Sequence, residues 1–166
     1  MTDMELLRAA RHKLEEEAQK IEYELRVTLP KEIGEAMGQG DLSENAEYEA
    51  AKERQSTLHG RLGQIQKRLA DLSRIQVTDI PRDRAGLGSE VTVENLGDGA
   101  EITYTLVIPE LADGNKSFVS IAAPVGKALM NRRIGDAVTI TIPRGTLEYE
   151  VRRVVTMFGD VLQPPE

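Results

Sequence analysis

"AKERQSTLHGRLGQIQKRLADL", Ala51 to Leu72, decides how the first half of the chain folds. Ala51, Gln55, Leu58, Leu62, Ile65, Leu69 and Leu72 follow one another at alternating steps of 4 and 3. That spacing holds one apolar stripe on one side of a helix and makes the seam of a coiled coil, with Gln55 its one polar position. Upstream, Leu7, Leu14, Ala18, Ile21 and Leu25 keep the same alternation, with Arg11 as a polar intruder. Two such helices joined by a short glycine-containing turn fold back as an antiparallel hairpin. An arm of roughly thirty residues is about 45 Å long at 1.5 Å per residue, more than the diameter of a small domain. Pro30 removes a helical hydrogen bond and clashes with the preceding turn, so a kink or break is expected near Thr28 and Leu29.

Beyond Leu72 the composition changes. "SRIQVTDIPRDRAGLG" carries Pro81, Gly86 and Gly88 and reads as an extended linker, after which short Val, Ile and Thr segments are punctuated by glycine and proline. "SEVTVEN", "LGDG" and "EITYTLVI" predict a strand, a glycine turn and a second strand. "SFVSIA" is a third, and "PVGKALM" a short helix with Pro124 at its first position. "DAVTITI" and "TLEYEVRRVV", separated by "PRG", complete an antiparallel sheet with the helix against it. The fold class is α+β. The expected division is a hairpin over 1–75, a linker over 76–87, a sheet domain over 88–157 and a tail over 158–166.

Composition narrows the function classes. No run of eighteen apolar residues is present to span a bilayer, and "MTDMELLRAARHKLEEE" lacks the basic and apolar regions of a secretory signal, so a cytoplasmic protein that meets no membrane is expected. The net charge of −7 opposes bulk attraction to duplex nucleic acid. With no cysteine and only His12 and His59, zinc sites and cysteine or histidine nucleophiles are poorly supported.

The hairpin turn holds the residues that bear on chemistry. "GQGDLSENAEYEAAKERQ", Gly38 to Gln55, places Asp41, Glu44 and Glu47 within seven positions. One reading is structural: Asp41 is a favoured helix N-cap, and Glu44 three residues on completes a capping box. The other is metal binding. Magnesium accepts one or two carboxylates, keeps several waters and takes its remaining ligands from phosphates, so Asp41 and Glu44 would form half of a site completed by another macromolecule. Asn45 and Ser43 are capping or supporting groups.

These residues also resemble a known family. "GDLSENAEYEAAKERQ" is similar to the tip and second helix of the bacterial transcript cleavage factors of the GreA/GreB family, and "APVGKALMNRRIGDAVTI" to their C-terminal half, with GreA the nearer kind. The likeness extends from about Leu14 to Val154. It implies an N-terminal coiled-coil hairpin and a C-terminal domain like that of the FK506-binding proteins, docked on RNA polymerase with the hairpin in its secondary channel. It further implies that Asp41 and Glu44 help hold the second catalytic Mg2+ of the polymerase, which then cleaves the backtracked nascent RNA and rescues arrested complexes. On this reading the protein is an accessory factor, expected to be a monomer, that holds no metal alone. Three departures stand against the family pattern: the first helix lacks its usual early glycine, Pro30 lies nearer the tip, and Asn131 stands where glycine is common.

Around the tip, Tyr48 reads either as seam packing or as a contact to the transcript. Arg54, Arg61 and Arg68 recur every seven residues and are either flanking residues paired with Glu15, Glu16, Glu17, Glu22 or Glu24 of the other arm, or a basic stripe for RNA phosphates. Two rival functions belong to other classes. One is a channel regulator that modulates or inhibits polymerase without supporting cleavage. The other is a prolyl isomerase or chaperone with a coiled-coil handle; an isomerase needs an aromatic-walled pocket, whereas the C-terminal half offers only Tyr104, Phe118, Tyr149 and Phe158.

Overall fold

The computed structural model describes residues 3–38 and 45–165. The chain divides into two compact units, one spanning Leu7–Ile75 and the other running from Gln76 onward and taking in the first residues of the chain.

The helical unit begins with α1 (Asp3–Tyr23), passes through a π-helical turn (Glu24–Thr28) into α2 (Leu29–Met37), and returns as α3 (Ala46–Ser73). Ala51, Leu58, Ile65 and Leu72 of α3 are buried, one every seven residues, while Gln55, Leu62 and Leu69 are half-buried between them. On α1 the buried side chains are Ala10, Leu14, Ala18 and Ile21. Ala10 rather than Arg11 takes the early seam position, and Arg11 is exposed, because the step from Leu7 to Leu14 runs 3 then 4 and lets a small apolar residue face the seam.

Pro30 neither breaks nor ends the first arm. The π turn stands directly before it: the Leu29 amide donates to Glu24 O, five residues back, and Thr28 and Leu29 stay in right-handed helical geometry. A π turn holds one residue more than an α turn. The extra residue loosens the ladder where Pro30 lacks an N–H and its ring presses on the carbonyl four residues back. It also shifts the phase of the stripe. Continued unchanged past Leu25, the alternation would reach Thr28, Glu32 and Glu35; instead Leu29 and Ala36 are buried and Ile33 half-buried, each one residue later, while Glu32 and Glu35 are exposed.

The second unit is a sheet of six strands: β1 (Glu90–Asn95), β2 (Glu101–Val107), β3 (Phe118–Ser120), β4 (Ala137–Ile142), β5 (Gly145–Val155) and β6 (Val161–Leu162). Its order is β3-β2-β1-β5-β4, with β6 also on β5. All pairings are antiparallel except that of β2 with β3, which corrects the expectation of a wholly antiparallel sheet. The chain leaves β2 through a helical turn at Pro109–Gly114, so β3 starts beside Thr105 and runs alongside β2.

Alternation sends Val91 and Val93 of β1, Val138 and Ile140 of β4, and Tyr149 and Val151 of β5 into one core with Leu106 and Leu129. Val154, out of step with Val151, also points inward because a bulge sets Thr92 and Val93 opposite Arg153 and Val151, leaving Arg152 as the extra residue. Helix α4 (Pro124–Leu129) covers this core. It lies so close to β3 that a Cβ on Gly126 would sit 1.9 Å from Ser120 O, so the helix requires glycine there. Asn131 follows with φ +65°, the left-handed geometry in which asparagine is the best substitute for glycine.

The stretch expected as a linker groups with this sheet: Ile80 and Ala85 are buried, and Ala85 exchanges backbone hydrogen bonds with Asn131 and Arg132. The tail contributes β6. Gly159, at φ +88°, closes a turn in which Thr156 N–H donates to Asp160 O.

Candidate functional site at the hairpin tip

The turn between α2 and α3 carries the sequence-predicted ligands. Asp41 and Glu44 lie outside the described residues, as does Ser43, and the stems on either side define the surroundings of the site.

Asn45 is the N-cap of α3. Its backbone is extended, its side-chain Oδ1 accepts from the Tyr48 amide at 3.1 Å, and its carbonyl accepts the first helical bond from Glu49. α3 starts at Ala46 and takes its cap from Asn45, while the capping reading of Asp41 and Glu44 falls on residues outside the described ones. The same side chain reaches across the hairpin, where Nδ2 donates to Ala36 O in the last turn of α2 at 2.7 Å. Tyr48 is half-buried, three residues before Ala51, and extends the seam toward the tip.

Below the tip, Glu32 and Glu35 of α2 and Glu47 of α3 line one shallow hollow of about 360 Å³, with Arg54 at its side. Sequence reasoning passed over Glu32 and Glu35. Their signal was the one-residue phase slip, which turns both outward. Among the described residues, no three acids or histidines approach closely enough to hold a metal. The hollow adds negative charge beside the tip, which raises the local concentration of cations.

The arginine stripe runs along the flank of the seam. Arg54 forks onto the Glu24 carboxylate at 3.0 and 3.2 Å, and Arg61 onto Glu17 at 2.7 and 3.0 Å. Moving seven residues up one arm moves seven down the other, the signature of an antiparallel register. The flanking-pair reading is thereby met for Arg54 and Arg61. Both remain about half exposed, so their guanidinium edges stay open to water. The hydrogen bond from Arg61 holds the Glu17 carboxyl below its ordinary value. Arg68 continues the stripe toward the base.

In the sheet unit the aromatic side chains are engaged separately. The Tyr104 and Tyr149 hydroxyls hydrogen-bond at 3.1 Å, and burial together with this bond pushes the Tyr104 hydroxyl above its usual value. Phe118 packs beside Gly114, and the Arg82 guanidinium lies 4.7 Å above the Phe158 ring while forking onto Asp160. Tyr104 and Tyr149 thus pair with each other, while the Phe158 ring is covered by Arg82.

Comparison with known proteins agrees with this anatomy. Residues 5–73 match the family model described as the N-terminal domain of a transcription elongation factor, and residues 80–155 the one described as the C-terminal domain of GreA/GreB transcription elongation factors. The chain is 40% identical over 147 residues to the transcription elongation factor GreA of Chlorobaculum parvum, covering 88% of this chain and 92% of the relative. It is 36% identical over 155 residues to GreA of Ralstonia nicotianae, covering 93% and 98%. Among solved structures, GreA factor homolog 1 of Thermus thermophilus is 26% identical over 87% of this chain and 93% of that one, at a TM-score of 0.40. No helix among the described residues is long and apolar enough to cross a membrane. With both halves matched by the family's models and GreA factors related along nearly the whole length, the chain belongs to the GreA/GreB family of transcription elongation factors.

Proposed function

We propose that this elongation factor docks on RNA polymerase through its sheet unit, enters the secondary channel with the hairpin, and lends Asp41 and Glu44 to the polymerase active site. Two carboxylates are the hard oxygen donors that Mg2+ accepts, and two leave room for ligands from the polymerase and phosphate. Bound there, the ion supplies the positive charge that hydrolysis of an internal phosphodiester of backtracked RNA requires. This chain contributes the carboxylate oxygens and no nucleophile, so it acts as an accessory. Tyr48, the open edges of Arg54 and Arg61, and Arg68 contact the extruded transcript, giving position without sequence preference.

One observation supports the reading: the N-cap of α3 is Asn45, so that helix does not draw its cap from Asp41 or Glu44. The test is a stalled, backtracked elongation complex scored for release of short RNA fragments. Wild-type protein should stimulate release. Asp41→Asn and Glu44→Gln should abolish it while binding to polymerase persists, with partial rescue by added magnesium or manganese. The amide keeps the shape and removes the charge. Variants that match the wild type at limiting magnesium would return the two residues to a structural role.

A further inference from the structure

Strand β4 ends the path of the sheet: it pairs with β5 on one side and, among the described residues, with no strand on the other. Its backbone groups divide between the two sides by parity. Val151 N–H donates to Asp136 O, so Asp136, and after it Val138 and Ile140, turn their backbone groups toward β5. Ala137, Thr139 and Thr141 turn theirs toward the open edge, and their side chains are exposed on the face away from the core. Natural edges are blunted by lysine, proline or a bulge within the strand. "AVTITI" has no charge and no proline, and its register with β5 is unbroken from Ala137 to Ile142. Charge stands just outside it, with Asp136 before the strand and Arg144 in the turn after it. Arg144 is exposed and makes no ion pair or hydrogen bond among the described residues. The Asp136 carboxylate accepts the Arg133 amide through Oδ2 at 2.8 Å, which leaves Oδ1 for a second donor.

We infer that β4 is a self-pairing edge: two copies of this chain join through antiparallel β4 strands, with Ile140 opposite Ile140 and Asp136 of each copy opposite Arg144 of the other. In that register Thr139 lies opposite Thr141. Both carry their backbone groups outward, so the pair exchanges its ladder bonds on each side of the two-fold axis. Ala137 N–H meets Pro143 O, so the proline, which has no N–H, stands where only its carbonyl is needed, and the Ala137 carbonyl at the strand end stays with water. Asp136 and Arg144 fall between ladder bonds, where opposite Cα atoms lie about 4.5 Å apart and side chains meet most closely. A cross-strand threonine contact already exists in this sheet: Thr92 and Thr103, opposite each other on β1 and β2, hydrogen-bond through their hydroxyls at 2.9 Å. Other registers fail. A slip by one residue sets core-facing side chains of one copy against the outer face of the other. A slip by two sets Asp136 opposite Ile142 or Thr146 and loses both ion pairs. A single strand pair lies at the small end of specific interfaces, below about 1,200 Å², so the dimer forms at high concentration and returns on dilution to the monomer.

Sedimentation equilibrium of the full-length protein, from about 10 µM to about 1 mM, measures the pairing. The mean mass of the wild type should climb from that of one chain toward that of two. Arg144→Glu and Asp136→Lys each set like charges against one another at both ends of the register. Each should weaken association roughly ten-fold, as two exposed pairs turn from attraction to repulsion. Arg144→Glu lies in an exposed turn and changes no contact within one copy, so its thermal midpoint should be that of the wild type. An equimolar mixture of the two variants should associate like the wild type, because both ends again join opposite charges. Thr139→Pro removes an amide that points to the open edge and none that faces β5, so it should abolish pairing with the circular dichroism unchanged. A wild type that keeps the mass of one chain up to about 1 mM would overturn a second copy as the occupant and leave the edge to an extended segment of another protein. A dimer that withstands both Arg144→Glu and Thr139→Pro would place the contact elsewhere and overturn the inference too, as would a mixture that associates no better than either variant alone.

Discussion

Helix α3 runs through 28 residues without a change in hydrogen-bonding pattern, whereas the arm it packs against changes twice, from α to π at Glu24 and back at Leu29. Both arms nevertheless present a continuous apolar stripe. The stripe of α3 is written into its sequence at regular steps. That of the first arm slips by one residue after Leu25, and the π turn absorbs the slip where Pro30 makes an ordinary turn costly. A proline inside a long helix need not end it if the residue count around it already calls for one extra position. The irregular arm therefore belongs to the seam as fully as the regular one, and it carries Ala36, the carbonyl to which Asn45 is tied.

The largest effect that could break this comparison comes from truncating the stripe on each side of it. Ile65 in the regular arm and Leu29 just beyond the π turn are each 1% exposed. Replacing either by alanine should cost about 2–5 kcal/mol, the range for deleting a large aliphatic side chain from a packed site. Equal losses in denaturant unfolding followed by helical signal would show that the shifted phase seats Leu29 as firmly as the seam seats Ile65. A near-neutral Leu29→Ala would mean that the extra residue does not serve the seam.

A smaller effect sharpens the cause of the π turn. If the turn exists only to relieve Pro30, Pro30→Ala should convert it to α-helix and recover most of the roughly 3 kcal/mol that separates proline from alanine in a helix interior. The phase of Leu29, Ile33 and Ala36 argues otherwise, because an α-helical turn would rotate all three away from α3. Pro30→Ala should therefore keep the Leu29 to Glu24 bond, seen by NMR or crystallography, with a gain well below that figure. Loss of the π turn on this substitution would make the proline its sole cause.

The same contrast explains how much was legible in the sequence. The α3 seam was, since seven consecutive seam positions leave little room for another period. Strands β1, β2, β4 and β5 were, because alternation and turn glycines such as Gly99 mark them. The sequence pointed to Pro30 as the irregularity, yet not to its form: a π turn is a change of ladder that shows only as a one-residue slip. The spacing of Asp41 to Glu44 fits a capping box, whereas α3 starts later and Asn45, read from the sequence as a capping or supporting group, caps it and also bridges to Ala36 O. Strand β6 was hidden by its length of two residues, and the parallel pairing of β3 by a connection whose direction no local signal gives. As for Asp41 and Glu44, their candidacy was legible from chemistry and resemblance, and their test lies in function.

The smallest expected effect concerns one of the ion pairs that join the two arms below the tip. Arg61 forks onto Glu17 and holds its carboxyl below the ordinary glutamate value. A carboxyl whose folded-state value is depressed adds stability that is present above its unfolded value, near 4.5, and is lost as the pH falls through the lower folded value. Both side chains are more than two-fifths exposed, at 46% and 41%, so water and salt screen the attraction. Its contribution should be about 0.5 kcal/mol, within the range measured for exposed pairs. Glu17→Gln should therefore unfold slightly more easily than the wild type at pH 7, and the difference should close as both are titrated below pH 4. Salt near 1 M should shrink the gap at pH 7 as well, since the screening length there is only about 3 Å. A gap that persists unchanged into acid would mean that Glu17 stabilises the hairpin by packing its stem against the seam. The arms would then be joined by shape rather than by charge.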